Sequence, residues 1–499
     1  SPARRRGPTV SEETGDLIAQ RRQKTAELRA DGVDPYRYMF RPTHTAAAIL
    51  AQHDGVEVIE DATEVVIGGR MMTRRLHGKT SFAHLRDATG DIQIYVRRDN
   101  VGEGAYEDFK RLFDLGDIVG ITGTVFRTRT GEITVEARSV EMVTKALQTL
   151  PEKWHGLTDV ETRYRQRYVD LIANPEVRDT FRKRTQVIQA IREYLNTAEF
   201  LEVETPILQP LYGGANARPF TTHHNTLDQT LFLRVSDELY LKRLVVGGLE
   251  RVYEFCKNFR NEGMDRSHNP EFTLMEVYQA YADYGTMMDL VEGLVAHAAK
   301  AVNGCTQAPY QGETLDFTPP WRRISMAEGI ADSTGLDVLS MDCDALRDAL
   351  EARGAEVEDH ATSWGLLVAE LFDDAVEAKL VQPTIVYDYP VETSPLAKKK
   401  RDDDRFVERF EPFVAGMEIG NAYTELNDPD DQRARFEDQA ALREAGDDEA
   451  HVLDEDFLRA LEYGMPPTGG LGVGVDRLVM LLTDSASIRD VILFPQMRS

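Results

Sequence analysis

The chain has 499 residues, of which 42% are hydrophobic, and a formal net charge of −27. A single hydrophobic core stops growing near roughly 250–300 residues, so the length predicts two or three domains. No apolar run reaches the roughly 20 residues of a membrane-spanning helix, and no signal-peptide pattern opens the sequence, so we expect a soluble cytoplasmic protein. The cysteines Cys256, Cys305 and Cys343 are far apart, which indicates neither a disulfide framework nor a zinc site. The acidic excess does not exclude an anionic partner, because charge acts locally.

The first 150 residues predict a short helical extension followed by a small β-barrel. Residues 14–31 have the pattern of a charged amphipathic helix that ends before Gly32. Beyond residue 62, short runs rich in β-branched residues alternate with Gly, Asp and Thr-Gly turns. Five such strands in about eighty residues, with one helical insert, are typical of an OB-fold. We predict the extension over 1–60, the OB-fold over 61–147 and a linker over 148–175.

The remaining residues, 176–499, predict a larger domain of mixed α and β structure. Asn174 can cap a helix with Pro175 at its first position and apolar residues at helical spacing to about residue 198. Further helical patterns cover 285–303, 343–353 and 364–380. Strand patterns cover 201–205, 231–235, 251–260, 271–281 and 410–426. Clustered strands with helices inserted between them favour an α+β fold, an antiparallel sheet flanked by helices, over repeating βαβ units.

Two neighbouring strand patterns carry charged residues where apolar neighbours predict burial. In RVYEFCKNFRNE, alternation places Glu254, Asn258, Arg260 and Glu262 on one face. In the next strand, Glu276 stands among apolar residues, where a carboxylate is costly to bury without a cationic partner. No cation lies near it in sequence, so the pattern indicates a bound cation. A solvent-facing strand with ion pairs is the alternative interpretation.

A later segment, RFEPFVAGMEIGNAYTEL, repeats this combination of acidic and apolar residues. Glu411 and Glu418 flank an apolar stretch, and strict alternation would put Glu418 on the face opposite Glu425. We expect a β-bulge at Gly416 or Gly420 to reconcile them. Paired carboxylates without a nearby thiol or imidazole suit Mg²⁺ that bridges phosphates.

The glycine-rich segment 469–474 comes just before Arg477, at the start of an apolar helix. Glycines let a backbone approach a flat ligand closely, and an arginine suits a phosphate. The spacing is G-x-G-x-G without a following βαβ unit, which excludes a dinucleotide fingerprint. Gly78-Lys79-Thr80 lacks the first glycine of a P-loop and lies between two predicted strands, so a P-loop is excluded as well.

Together these segments resemble the class II aminoacyl-tRNA synthetases. FRNEG (259–263) with HNPEFT (268–273) resembles motif 2 of that class. GLGVGVDRLVML (470–481) resembles motif 3, and the helix and strand that end at Pro206 resemble motif 1. Three further segments are similar to the lysyl-tRNA synthetases of bacterial type: GGANARPFTTHHNTLD (213–228), ELYLKR (238–243) and EIGNAYTELNDP (418–429).

The resemblance covers nearly the whole chain from about residue 15. It implies an OB-fold anticodon-binding domain followed by a class II catalytic domain with a helical insertion. It implies ATP, L-lysine and tRNA(Lys) as ligands and several Mg²⁺ ions in each active site. It also implies a homodimer in which the motif 1 helix, 176–198, and its following strand form the interface.

For the nucleotide, the resemblance implies two catalytic arginines. Arg260 would hold the α-phosphate and the carboxylate of the amino acid, and Arg477 would pack on adenine and reach the γ-phosphate. Phe272 would stack under adenine, and Glu411 and Glu418 would ligate Mg²⁺. The residues that would bind ATP are Arg260, Glu262, His268, Asn269, Phe272, Glu411, Glu418 and Arg477.

For the amino acid, the resemblance implies a pocket with separate sites for two ammonium groups. Gly214 and Glu238 would take the α-ammonium group, and Tyr278 and Glu425 the ε-ammonium group. The residues that would bind lysine are Gly214, Glu238, Arg260, Glu276, Tyr278, Asn421, Tyr423, Glu425 and Gly472. Three carboxylates suit such a substrate, whereas a side-chain carboxylate would need an arginine or a lysine. In the barrel, the residues that would contact the anticodon are Arg75, Phe82, Gln93 and Glu132.

Three alternatives stay open from the sequence. An asparaginyl- or aspartyl-type synthetase shares the architecture but is disfavoured by Glu425 and by the segment 213–228. A paralogue that attaches lysine-like acids to a protein is disfavoured by the intact barrel. A non-catalytic RNA-binding homologue is disfavoured because both motif arginines and both predicted metal ligands are present. Nothing in the sequence separates normal turnover from capture of the adenylate by a second ATP.

Overall fold

The computed structural model of the chain describes residues 10–59, 63–151, 157–355, 362–444 and 452–498. The chain divides into two units, Ser1–Leu157 and Thr158–Ser499. The domain limits 1–60, 61–147, 148–175 and 176–499 stay predictions, and residues 1–9, 60 and 152–156 of the predicted extension and linker lie outside the described residues. Within the described ranges, no helix is long and apolar enough to cross a membrane.

The first unit contains the predicted five-stranded closed barrel. Its strands are β1 (Glu64–His77), β2 (Thr80–Arg86), β3 (Asp91–Arg97), β4 (Ile118–Arg127) and β5 (Ile133–Thr144). Its helices are α1 (Val10–Ala30), α2 (Ala46–Gln52), α3 (Arg98–Val101) and α4 (Glu103–Arg111). The strands pair in the order β1-β2-β3-β5-β4, and β1 pairs with β4 to close the barrel. Alternate residues of β2 and β3 are buried, as expected for a packed barrel interior.

The second unit is built on a mostly antiparallel sheet. Its strands are β6 (Leu201–Glu202), β7 (Leu208–Gln209), β8 (Thr221–His224), β9 (Gln229–Leu233), β10 (Arg251–Phe259), β11 (Glu271–Ala280), β12 (Gln307–Tyr310), β13 (Glu313–Asp316), β14 (Arg322–Ser325), β15 (Thr384–Pro390), β16 (Phe406–Val414), β17 (Met417–Glu418), β18 (Gly420–Thr424) and β19 (Thr468–Gly474). The main sheet runs in the order β14-β15-β16-β18-β19-β11-β10-β6, with β17 paired to β16. The small sheets β7-β9-β8 and β12-β13 stand apart from it.

Helices flank this sheet, which confirms the predicted α+β class. They are α5 (Val160–Arg165), α6 (Arg167–Ala173), α7 (Pro175–Thr197), α8 (Glu238–Val246), α9 (Tyr284–Asn303), α10 (Met326–Thr334), α11 (Cys343–Arg353), α12 (Trp364–Ala375), α13 (Pro429–Glu444), α14 (Glu455–Glu462), α15 (Val475–Leu482) and α16 (Ile488–Val491). Side chains of α7, α9 and α15 share one hydrophobic core with β10, β11, β16, β18 and β19. A second core joins α10, α11 and α12 to β15 and β16, and a third joins α8 and α14 to β11.

The segment predicted as one long strand, 410–426, is a hairpin followed by a further strand. Ala415 and Gly416 form a two-residue turn with φ values of 53° and 70°, and positive φ at both positions is the geometry of type I′ hairpin turns. Gly416 therefore marks a chain reversal, and a bulge there is wrong. A one-residue irregularity does exist near Gly420, because Phe413 pairs with Glu418 whereas Phe410 pairs with Ala422.

Candidate active site

A cavity of about 390 Å³ lies in the second unit, against the central strands of the main sheet. Strands β11, β16, β18 and β19, the start of α8 and the segment 393–396 contribute to its walls. All sixteen residues predicted to bind ATP, lysine or metal line this one cavity. They are Gly214, Glu238, Arg260, Glu262, His268, Asn269, Phe272, Glu276, Tyr278, Glu411, Glu418, Asn421, Tyr423, Glu425, Gly472 and Arg477.

Strand pairing explains how residues so distant in sequence meet. β19 lies between β11 and β18, and it pairs with both in antiparallel fashion. The pairing produces two rows across these three strands, Glu276–Gly472–Asn421 and Tyr278–Gly470–Tyr423. Because the rows are two residues apart along each strand, their side chains point to the same face of the sheet. The middle position of each row is a glycine, which leaves space above the strand.

Gly470 is required by a close approach of neighbouring side chains. A Cβ atom at this position would lie 2.0 Å from Oε1 of Glu425 and 2.5 Å from Cε1 of Tyr278. At Gly472 the nearest atom to a Cβ would be Cγ of Glu276 at 3.7 Å, which is an ordinary contact. Gly472, and not Gly470, was predicted from the sequence to bind lysine, whereas of these two glycines it is Gly470 where a side chain cannot fit.

Three buried carboxylates line one part of the cavity. Glu238, Glu276 and Glu425 expose 4%, 4% and 1% of their surface. The hydroxyls of Ser236 and Tyr278 donate to Oε1 and Oε2 of Glu276 at 2.9 Å and 3.0 Å. Oε1 of Glu425 is buried without a hydrogen-bond partner among the described residues. Burial raises the pKa of Glu238 and Glu425 above the ordinary value, so a cation is needed to keep this part of the cavity charged.

One protein cation already lies among these carboxylates. Lys242 is fully buried on α8, and its Nζ lies 2.5 Å from Oε1 of Glu238 and forms an ion pair with Glu425. Lys242 was not predicted from the sequence, although Glu238 and Lys242 have the i, i+4 spacing of helical ion pairs. Lys242 leaves Oε1 of Glu425 free to meet a further cation.

Behind the cavity wall, Glu276 lies beside another carboxyl group, that of Asp237, and not beside a cation. Asp237 is fully buried, and its Oδ1 accepts a hydrogen bond from Sγ of Cys256 at 3.0 Å. The carboxyl group of Asp237 also lies close enough to Glu276 for its charge to act on it. Burial, and then the charge of Asp237, raise the pKa of Glu276 well above its usual range. Two carboxyl groups buried this close together are costly to ionise at the same time, which favours one shared proton and a single negative charge.

Two arginines line the part of the cavity to which segments 259–273 and 470–481 contribute. The guanidinium of Arg260 lies 5.1 Å from the ring centroid of Phe272, and Nε of Arg260 is buried without a hydrogen-bond partner in the described part of the chain. Arg477 donates to the backbone oxygen of Glu418 at 2.5 Å, and its Nη2 lies 3.0 Å from Nε2 of His268. Two guanidinium groups beside a glycine-rich strand suit the phosphates of a nucleotide.

The two predicted metal ligands each contact an arginine. Arg409 forms an ion pair with Glu411, and Arg477 lies 3.4 Å from Oε2 of Glu418. Burial raises the pKa of Glu411, Arg409 opposes that rise, and the nearby charge of Glu418 adds to it. The described residues contain no group of three or more His, Cys, Asp or Glu that could hold a metal alone. Mg²⁺ is commonly bound by one or two carboxylates together with substrate phosphates, and this pair of glutamates fits that arrangement.

Arg409 lines the cavity and was not predicted from the sequence. Its Nε donates to Oδ1 of Asn421 at 3.1 Å, and Nδ2 of Asn421 donates to the hydroxyl of Tyr423 at 3.0 Å. These bonds fix which way the Asn421 amide faces. Strand parity could have found Arg409, because it precedes Glu411 by two residues and so points to the same face.

The barrel contains a second cavity, of about 480 Å³, within the first unit. It is lined by all four residues predicted to contact an anticodon, Arg75, Phe82, Gln93 and Glu132. The rings of Phe82 and Tyr95 stack with centroids 4.5 Å apart and an angle of 25° between their planes. Nε2 of Gln93 donates to Oε2 of Glu132 at 2.7 Å. Aromatic faces beside hydrogen-bonding side chains are the features with which OB-folds bind single-stranded nucleic acid.

Comparison with known proteins finds a family model for each of the two units. The family model for tRNA synthetases class II (D, K and N) matches residues 159–498, and the model for the OB-fold nucleic acid binding domain matches residues 65–143. A lysine–tRNA ligase of Pelotomaculum thermopropionicum is 56% identical over 98% of this chain and 96% of its own length. Those of Bacillus subtilis and Moorella thermoacetica are 53% and 55% identical, over 98% of this chain and 98% and 99% of their own lengths. The chain therefore belongs to the class II tRNA synthetases of the D, K and N group, and within that group to the lysine–tRNA ligase family.

Proposed function

We propose that the protein activates L-lysine with ATP to form lysyl-adenylate and then transfers lysine to the 3′ end of tRNA(Lys). The observation that carries this proposal is the buried carboxylate of Glu425, whose Oε1 has no protein partner among the described residues. A buried acceptor without a partner is costly, and the ε-ammonium group of lysine would satisfy it. The side chains of aspartate and asparagine carry no cation, which disfavours the aspartyl and asparaginyl alternatives. We place the reaction in the cytoplasm.

We place lysine in the cavity with its two ammonium groups on the acidic side chains. Glu238 and the backbone carbonyl of Gly214 bind the α-ammonium group. The two residues are close neighbours, because a Cβ atom at Gly214 would lie 3.1 Å from Cβ of Glu238. The ε-ammonium group lies between Glu425 and Tyr278, with Glu276 beside them. The remaining lysine contacts come from Arg260, Asn421, Tyr423 and Gly472.

The nucleotide occupies the part of the cavity that motifs 2 and 3 line. Arg260 holds the α-phosphate, and Arg477 reaches the γ-phosphate and packs on adenine. The residues that complete the ATP site are Glu262, His268, Asn269 and Phe272. Glu411 and Glu418 hold Mg²⁺, which neutralises phosphate charge when it is bound.

The first step joins an oxygen of the lysine carboxylate to the α-phosphorus of ATP, while the bond from that phosphorus to pyrophosphate breaks. The carboxylate attacks directly, so the chain supplies no nucleophile. Its contribution is positioning and stabilisation of charge. Arg260 contacts both reacting groups, and Arg477 stabilises the charge of the departing pyrophosphate.

The second step joins the terminal hydroxyl oxygen of the tRNA to the carbonyl carbon of lysyl-adenylate, and AMP leaves with the bonding electron pair. Glu238 and Glu425 keep lysine in place through this exchange. Arg260, which holds the adenylate phosphate, is a cation and cannot accept a proton. We assign the hydroxyl proton to a phosphate oxygen of the departing AMP.

ATP–pyrophosphate exchange tests the proposed function directly. The full chain should be assayed with each standard amino acid in turn, with Mg²⁺ and without tRNA. We expect exchange with lysine alone. Exchange with aspartate or asparagine would contradict the roles of Glu238, Tyr278 and Glu425. A chain that exchanges with no amino acid would be the non-catalytic RNA-binding homologue.

We also propose that the barrel cavity binds the anticodon of tRNA(Lys), with Phe82 stacking on a base. Phe82→Ala should raise the KM for tRNA(Lys) by about 5- to 100-fold, since stacking of one base is worth roughly 1–3 kcal/mol. Exchange without tRNA should be unchanged, because the catalytic cavity lies wholly in the second unit. Initial rates of aminoacylation against tRNA concentration provide the measurement.

Leu115→Ala is the matched control, since Leu115 is an exposed apolar residue of the same unit outside the barrel cavity. It should leave the KM for tRNA unchanged. A fall in lysine-dependent exchange in Phe82→Ala would show that the barrel is not a separate anticodon module.

We propose that the protein is a homodimer, although not through the apolar face of the motif 1 helix. On α7, Val187, Ile191 and Leu195 belong to the core of the chain itself. The segment after the helix carries exposed apolar residues instead, namely Leu201, Ile207, Leu208 and Leu211. β6 is the edge strand of the main sheet, and exposed apolar edges favour association.

Sedimentation equilibrium should therefore give twice the mass of the single chain. Leu208→Asp places a charge in the proposed interface and should shift the mass towards that of one chain. Leu339→Asp, at an exposed leucine elsewhere in the second unit, is the control and should remain a dimer. A wild-type protein with the mass of one chain would contradict the proposal.

A further inference from the structure

Lys242 lies behind the wall of the catalytic cavity rather than in it. Its ammonium group contacts Glu238 and Glu425, the two carboxylates to which the proposed function gives the two ammonium groups of lysine. The ring of Phe457 lies 5.9 Å from Nζ and covers Lys242 on another side. Lys242 is fully buried, so water does not screen these contacts.

The number of negative charges around this part of the cavity equals the number of ammonium groups on lysine only when the positive charge of Lys242 is included. Glu238 and Glu425, each in contact with Lys242, contribute one negative charge each when they are ionised, and the pair Asp237–Glu276 contributes a third when it shares one proton. Lys242 cancels one of the three. Two negative charges remain for the two ammonium groups of lysine, while the lysine carboxylate is matched by Arg260.

We infer that Lys242 is a positioning residue that holds Glu238 and Glu425 ionised and in place, so that the cavity presents two negative charges to a diamino substrate. The inference rests on the proposed function, because it uses the roles given there to Glu238 and Glu425. Without Lys242, three negative charges in a buried site repel each other, and one carboxylate takes up a proton. The cavity then loses affinity for one ammonium group of lysine, whereas the ATP site is unchanged.

The inference predicts a pH dependence of lysine binding. The titratable and charged groups that face Glu425 are Lys242 and Glu238 of α8, Glu276 and Tyr278 of β11, and Tyr423 of β18, while Arg409 of β16 acts on Glu238. Burial raises the pKa of Glu425, and the charge of Lys242 opposes that rise. An ammonium group binds the ionised carboxylate, so the KM for lysine falls as pH rises through this pKa. Loss of Lys242 should move that fall to higher pH.

Lys242→Met, which removes the charge but keeps an unbranched apolar chain, tests the inference in the full-length protein. Lysine KM, ATP KM and kcat are measured by ATP–pyrophosphate exchange from neutral to alkaline pH, because burial raises the pKa of Glu425 to about 8. An opposite charge within about 4–6 Å lowers a carboxyl pKa by roughly 1–3 units. We therefore expect the midpoint of the lysine KM profile to rise by about one pH unit or more, and lysine KM at neutral pH to rise about 10- to 100-fold. ATP KM should not change.

Arg243→Met is the matched control. Arg243 is the next residue of α8 and lies over the same ring of Phe457, but its ion pairs go to Asp454 and Asp456. It should keep the wild-type pH midpoint. A midpoint in Lys242→Met that equals the wild-type value would overturn the inference.

Lys242→Arg keeps the positive charge, and it provides a second test if Lys242→Met does not fold. It should keep the wild-type midpoint even where the longer side chain raises lysine KM. A midpoint that rises in Lys242→Arg by a pH unit would overturn the inference. Glu425→Gln distinguishes a failure of the proposed lysine site from a failure of the role of Lys242. If it leaves lysine KM unchanged, the proposed lysine site fails; if it raises lysine KM while Lys242→Met leaves the midpoint unmoved, only the role of Lys242 fails.

Discussion

Glu425→Gln should raise the KM for lysine in ATP–pyrophosphate exchange by about 30-fold or more and leave the KM for ATP nearly unchanged. Glutamine has the same shape as glutamate but cannot offer a negative charge to the ε-ammonium group. Loss of one partner of a buried charge pair costs roughly 2–5 kcal/mol, and about 1.4 kcal/mol corresponds to a factor of ten. Lys242 keeps Glu238 as a partner in this variant, so the substitution acts mainly on the substrate.

Calorimetry with lysine and with ATP provides an independent measurement of the same variant. The control is Glu271→Gln, because Glu271 begins β11, which also carries Glu276, but does not line the cavity. It should change neither affinity. Equal losses of lysine and ATP affinity in Glu425→Gln would mean that Glu425 supports the whole cavity rather than one ammonium group.

Arg260→Ala should lower kcat for lysyl-adenylate formation by about 100- to 1000-fold, which is the usual effect of removing one donor that stabilises transition-state charge. Arg260 lies beside Phe272 with a buried Nε that has no partner in the described ranges. In the proposed complex its guanidinium contacts both the lysine carboxylate and the α-phosphate, between which the new bond forms. Single-turnover formation of lysyl-adenylate at saturating ATP and lysine measures the step directly.

Arg251→Ala is the control for this substitution, since Arg251 begins β10, the strand that leads to Arg260, and lies outside the cavity. It should retain the wild-type rate. An Arg260→Ala variant with a raised KM for ATP but an unchanged kcat would assign Arg260 to ground-state binding alone. The mechanism would then need another group to stabilise the charge that develops at the α-phosphorus.

Strand parity made much of the catalytic site predictable from the sequence. Glu276 and Tyr278 are two residues apart in a strand pattern, which puts them on one face, and in the structure both line the cavity. The period of two is a local property of the chain, so it survives without knowledge of the neighbouring strands. The barrel was predictable for the same reason, because its five strands and their turns are each encoded by short segments.

Features that depend on which strands become neighbours could not be predicted in this way. Parity alone could not show that the chain reverses at Ala415 and Gly416, because a turn and a bulge both change the face of later residues. Asp237 and Lys242 were missed for a related reason. Asp237 precedes the first residue of α8, and only its packing against β10 and β11 gives it Cys256 and Glu276 as neighbours.

The position of β19 has a consequence for synthesis of the protein on the ribosome. β19 follows both β11 and β18 in the chain but lies between them in the sheet. Until residue 474 has left the exit tunnel, the facing edges of β11 and β18 lack their partner, and unpaired strand edges promote aggregation. The nascent chain therefore has no lysine or ATP site while most of its strands are already made. Catalytic competence arrives late in translation, because the site needs both this seven-residue strand and Arg477, which follows the strand in the chain.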